Sequence, residues 1–209
     1  MLQLLIMLLA IVATMTLQSN VPITAYVIGS LCLTAYQGRH ASHLRWYRSI
    51  TPLMLLQNVA VLAAIFAVAF GLLQLDNPVL NFGWYTLLEQ SMGHDDGGGN
   101  IITAPLSYPV LVAPFLLLLL FVFPRLAETE EMIFRRGTRD WPMGIRRSLL
   151  FGLVHMTVGV PLAVALALTI GGLWFTYQFF QGGTARSTPY HLAYNVLVLI
   201  LIGVVTIVQ

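Results

Sequence analysis

Long apolar runs, separated by short segments that hold almost all the arginines, constrain this chain more than any other feature. The runs cover residues 2–17, 21–36, 52–75, 105–124, 148–180 and 189–208. A helix crossing a ~30 Å hydrocarbon core needs roughly 20 apolar residues, within a range of about 17 to 25. Lipid offers no partner for backbone N–H and C=O groups, so such runs are expected to be helices. Only 9% of the residues are charged, against about 25% in a soluble domain. Lipid is therefore the expected solvent for much of the surface.

The formal net charge of +2 is too small to point to nucleic acid. Cys32 is the single cysteine, which rules out an intramolecular disulfide and any CxxC metal motif. Residues 1–17 carry no basic residue and no A-x-A pattern, so they read as a retained span and not as a removed signal peptide. All ten basic residues are arginine, a bias that suits a GC-rich bacterial genome.

Arginine placement predicts an orientation. Arg39, Arg45 and Arg48 lie in 37–51, six arginines lie between 125 and 147, and Arg186 lies in 181–188. The 76–104 segment has none and holds Asp76, Glu89, Asp95 and Asp96. The positive-inside rule then places 37–51 and 125–147 in the cytoplasm and 76–104 outside. The 148–180 run is too long for one span, and Gly159-Val160-Pro161 is its natural break. The expected fold is an all-α, polytopic transmembrane bundle of about seven spans. Its N-terminus is inside, with N-terminal helices and an external loop over 1–104 and a core over 105–209. Within the external loop, His94, Asp95 and Asp96 precede three glycines and read as a solvated tip. His40 and His43 sit beside Trp46 and Tyr47 as an interfacial belt.

Ionisable groups at membrane depth are expensive and mark function. Here they gather in the C-terminal half. Glu131 and Arg135 form an i,i+4 pair in the favourable order. Glu130 is rotated about 100° from Glu131, which leaves one glutamate for a site and one for the arginine. His155 follows Phe151 by four residues in an otherwise apolar run, and His191 precedes Asn195 by four on one helix face. Ser187 or Thr188 is the expected cap, with Pro189 at the first helical position. Each element alone reads equally well as interhelical polar glue or a solvated juxtamembrane segment. Together they supply a general base, imidazoles and an amide donor, the minimum equipment for peptide hydrolysis by activated water. The groups can meet only if 148–180 crosses twice, returning His191 to the leaflet of Glu130.

In order, Glu130-Glu131…Arg135, Phe151…His155 and His191…Asn195 resemble the EExxxR, FxxxH and HxxxN/D motifs of the CAAX prenyl protease and bacteriocin-processing (CPBP, or ABI) family of intramembrane proteases. The resemblance covers residues 105–208. One departure is local, with Arg135-Arg136-Gly137 where the family has Arg-Gly. The resemblance implies Glu130 as the base that activates water and His155 as its partner. It implies His191 and Asn195 as the oxyanion site, with Glu131, Arg135 and Phe151 in support. No cofactor is expected. The alternative is zinc held by Glu130, His155 and His191.

The expected function is intramembrane endoproteolysis of a membrane-anchored protein or peptide, with the site on the cytoplasmic face, in a bacterial plasma membrane. Two other readings stand beside it, a catalytically silent scaffold or bacteriocin-immunity protein and a small transporter with a proton relay.

Overall fold

The computed structural model describes residues 2–37, 44–92 and 100–208, and eight α-helices lie among them. These are α1 (Leu2–Leu17), α2 (Val21–Gln37), α3 (Arg45–Arg48), α4 (Pro52–Leu73), α5 (Trp84–Ser91), α6 (Pro109–Phe134), α7 (Trp141–Val154) and α8 (Leu162–Val208). Short 3-10 turns occupy Ala104–Ser107 and His155–Val158. His40, His43, His94, Asp95, Asp96 and the triple glycine lie outside the described residues.

The all-α class is as expected, but about seven spans is not the count. Among the described residues, three helices are long and apolar enough to cross a membrane: Pro52–Leu73, Pro109–Phe134 and Leu162–Thr206. The first two apolar runs form separate helices of 16 and 17 residues. At 1.5 Å per residue they are about 24 to 26 Å long, short of a ~30 Å core. The 148–180 run does break at Gly159-Val160-Pro161. Its first part, however, belongs to α7, which has 14 residues and carries Arg146 and Arg147. That helix starts where the Asp140 side chain accepts the Met143 N–H at 2.8 Å, with Pro142 in the first turn.

The second correction concerns 181–188, which is not a loop. Only Gly182 and Gly183 leave helical geometry within α8, and Gly183 has φ 65° and ψ −163°. That region is essentially closed to any residue with a Cβ. The chain doubles back there. Phe175 and His191, 16 residues apart, have ring centroids 4.3 Å from each other, where a straight helix would separate them by about 24 Å. Arg186 Nε likewise donates to Gln178 Oε1 at 2.9 Å. The two arms, 162–181 and 184–208, therefore run antiparallel. Ser187 and Thr188 are buried inside the second arm and do not cap it. Pro189 lies inside that arm and removes the bond an N–H there would make to the Ala185 carbonyl.

The 162–181 arm packs antiparallel on α7 through small residues. Gly144, Ser148 and Gly152 recur every fourth position, and a methyl group on Gly152 would sit 2.3 Å from the Ala165 carbonyl oxygen. The close approach brings Ser148 Oγ to 3.0 Å from Thr176 Oγ1. Packing of this kind substitutes for the hydrophobic drive that lipid removes.

Residues 76–92, which include α5, and 100–104 lie at the far end of this assembly. Leu162 N–H and Ala163 N–H donate to Phe82 O and Leu80 O, and Ile101 N–H donates to Val158 O. Trp84 Nε1 donates to Met156 O at 2.9 Å. The hairpin tip lies at the opposite end, where Phe180 meets Trp141 at 5.1 Å. One buried cluster joins α2, α5 and α6 with Leu199 of α8, with α1 packed against it, and a second joins α4, α7 and α8.

Candidate active site

α6 runs for 26 residues, about 39 Å, so its last turns carry Glu130 and Glu131 towards the hairpin-tip end. His191 comes from the second arm of α8, about eight residues below the tip. Both glutamates reach it. Glu131 Oε1 lies 2.9 Å from His191 Nδ1, and Glu130 Oε2 lies 3.2 Å from His191 Nε2. Glu131 and Arg135 are wholly buried, whereas the Glu130 side chain is 31% exposed. The two glutamates thus differ in burial, and both grip the same imidazole.

A neutral imidazole has one N–H and one lone pair. Both contacts are hydrogen bonds only when the three groups hold two protons between them. With Arg135 included, the cluster is then electrically neutral, the condition under which buried charge is tolerated.

Arg135 is enclosed by rings. Its guanidinium carbon lies 4.5 Å from the Phe151 centroid and 5.8 Å from those of Phe134 and Phe175. Nη2 donates to the Gly172 carbonyl at 3.0 Å, and Nε stands 3.8 Å from Glu131 Oε1. The latter is Coulombic contact beyond hydrogen-bond range.

Phe151 is the hub of the site. The His155 ring packs against it at 5.0 Å and the His191 ring at 5.5 Å. His155 Nδ1 lies 2.7 Å from the Phe151 carbonyl. A carbonyl only accepts, so Nδ1 carries the proton and a neutral His155 keeps its lone pair on Nε2. Asn195, one turn beyond His191, is half-buried, and its amide makes no hydrogen bond among the described residues.

Of the alternative zinc ligands Glu130, His155 and His191, the structure brings Glu130 Oε2 to 3.2 Å from His191 Nε2, with Glu131 on the other ring nitrogen, where a metal-bound histidine keeps its carboxylate partner. Among the described residues, no three His, Cys, Asp or Glu side chains are grouped as metal ligands.

Several residues here carry no signal in the sequence. Phe175 stacks on His191 with ring planes 14° apart, and Gly172 contributes only its carbonyl. Asn58 and Trp174 hydrogen-bond at 3.1 Å beside the site. Asn58 was legible in principle, as an amide within an apolar span.

Fold and site together define an all-α protein with helices of membrane-spanning character and a buried carboxylate–imidazole–guanidinium cluster. Comparisons with protein-family models, with curated proteins and with solved structures give no match to this chain.

Proposed function

We propose that this chain is an intramembrane endopeptidase of the CPBP type, cleaving a membrane-anchored protein or peptide near the face that bears the 125–147 arginines. The observation that carries the reading is the pairing of His191 with a partly exposed Glu130 and a buried Glu131. One carboxylate is reachable by substrate and water while its neighbour stays buried beside Arg135, hydrogen-bonded to His191. A bacterial plasma membrane with those arginines in the cytoplasm suits their distribution.

In this mechanism Glu130 accepts a proton from water, and the hydroxide oxygen attacks the scissile carbonyl carbon. The His155 Nε2 lone pair accepts the other water hydrogen and orients the attack. The Asn195 amide and the His191 Nε2–H donate to the developing oxyanion. Glu130 holds the longer of the two His191 contacts, so it is the one that turns to water while Glu131 retains the ring. Collapse breaks the C–N bond, and Glu130 delivers its proton to the amine leaving group. No cofactor enters these steps.

The test uses the full chain reconstituted in lipid with a quenched membrane-tethered peptide library. Glu130→Gln keeps size and hydrogen bonding but removes the base, and cleavage should fall at least about 100-fold. Unchanged turnover in that variant would sink the proposal. Parallel reactions with a strong chelator separate metal from glutamate chemistry.

One observation favours a second reading. Glu130, Glu131, His191 and Arg135 hold one another by close charge contacts, as a structural polar core would, although Glu131 Oε2 and Arg135 Nε and Nη1 make no hydrogen bond. A silent scaffold or immunity protein predicts full biological effect in Glu130→Gln and no cleavage by the unaltered chain.

A further inference from the structure

Asn58 is wholly buried in α4, a helix otherwise almost entirely apolar. An amide at that depth is costly unless its polar atoms are paired, and here both ends are. Nδ2 donates to the Tyr190 carbonyl at 2.9 Å, and Oδ1 accepts the Trp174 Nε1–H at 3.1 Å. The Tyr190 hydroxyl donates in turn to Gln57 Oε1 at 3.0 Å.

The two groups Asn58 holds lie on different arms of α8, and each immediately precedes a ring of the site. Trp174 precedes Phe175, and Tyr190 precedes His191. Those two rings stack at 4.3 Å, and the imidazole then meets a carboxylate at each nitrogen. Sliding one arm by a single residue, about 1.5 Å, would break the stack and both contacts. We infer that Asn58 is a positioning residue: by clamping Trp174 and Tyr190 it sets the register of the α8 hairpin and so places His191 between Glu130 and Glu131. Simple interhelical glue would leave the His191 environment unchanged. The consequence for turnover rests on the peptidase reading above, whereas the placement of His191 does not.

The experiment follows the ring nitrogens of His191 by NMR in full-length, 15N-histidine-labelled protein in lipid nanodiscs, assigned by signal loss in His191→Gln. Asn58→Leu should move both ring-nitrogen shifts. If Asn58→Leu does not fold, Asn58→Asp carries the test. Its carboxyl is close to isosteric and, when protonated, offers one donor and one acceptor. That variant should match the unaltered protein in acid and depart from it when ionised. In the activity arm, kcat should fall roughly 10- to 100-fold with KM unchanged in Asn58→Leu, and recover in Asn58→Asp as pH falls. Ring shifts that match the unaltered protein in both variants at every pH overturn the inference, whatever happens to stability. Absence of cleavage by the unaltered chain counts against the peptidase reading alone, because the ring shifts need no turnover.

Discussion

Arg135 is wholly buried between three phenyl rings, and its charge is tolerable only because Glu131 is buried beside it. Removing one partner of such a pair leaves an uncompensated charge and costs about 3–5 kcal/mol, whereas removing both with apolar groups of similar volume is often far milder. Arg135→Leu should therefore destabilise the protein by about that amount, and Arg135→Leu with Glu131→Leu by clearly less, as read by unfolding titrations in mixed micelles. A double variant as costly as the single would mean that the two charges do not compensate each other. The polar members of this site were legible in the sequence because ionisable groups are so rare in an apolar chain. Glu130, Glu131, Arg135, His155, His191 and Asn195 stand out by type and spacing. Phe175 does not, since it is one of eleven phenylalanines, and its stack on His191 exists only because the chain folds back at Gly182-Gly183. The grip of both glutamates on one imidazole was hidden for a related reason. A 100° rotation argues for separate partners only until a ring with two nitrogens is placed between them.

Helical elements in this chain are bounded and tied by backbone groups that need partners. Pro124 lies inside α6 and has no N–H, so the Leu120 carbonyl loses its partner four residues on. The Tyr47 hydroxyl donates to that carbonyl and ties α3 to α6. In a lipid environment an orphaned carbonyl has no water to turn to. Tyr47→Phe should therefore cost about 1–3 kcal/mol. A Pro124→Ala background restores the backbone N–H that the Leu120 carbonyl lacks, and there the same change should cost less. A double-mutant cycle measures the difference; equal costs in the two backgrounds would show that Tyr47 serves some other group. The sequence located the Gly159-Val160-Pro161 break but misread 181–188. Ser187-Thr188-Pro189 has the composition of a helix start, yet Pro189 lies inside the second arm. The two glycines before it make the whole reversal without a loop, and dipeptides that act this way cannot be told from ordinary loop glycines by composition.

At the scale of the molecule, three helices of spanning character suggest a membrane protein, and the packing defines two ends. Residues 80–85, Ile101 and the 155–163 turn gather at one end through the Phe82, Leu80 and Val158 carbonyls. Trp141 and the α8 hairpin tip, with Arg139 and Gln181 close by, gather at the other. α4 connects them over 22 residues, about 33 Å, enough to cross a ~30 Å core. The reversal at 155–161 therefore makes a prediction that a single pass through 148–180 does not share. In a Cys32→Ser background, which removes the exposed native thiol, single cysteines at Arg139 and at Gln181 should react with a membrane-impermeant maleimide from the same side of sealed vesicles. A cysteine at Asn77 should react only from the opposite side. The positive-inside rule further assigns the Arg139 and Gln181 side to the cytoplasm, so inverted vesicles should label those two and right-side-out vesicles should label Asn77. Labelling of Gln181 from the Asn77 side would place the hairpin tip at the wrong end. It would also carry His191 away from Glu130, so the same experiment bears on the site as directly as on the topology.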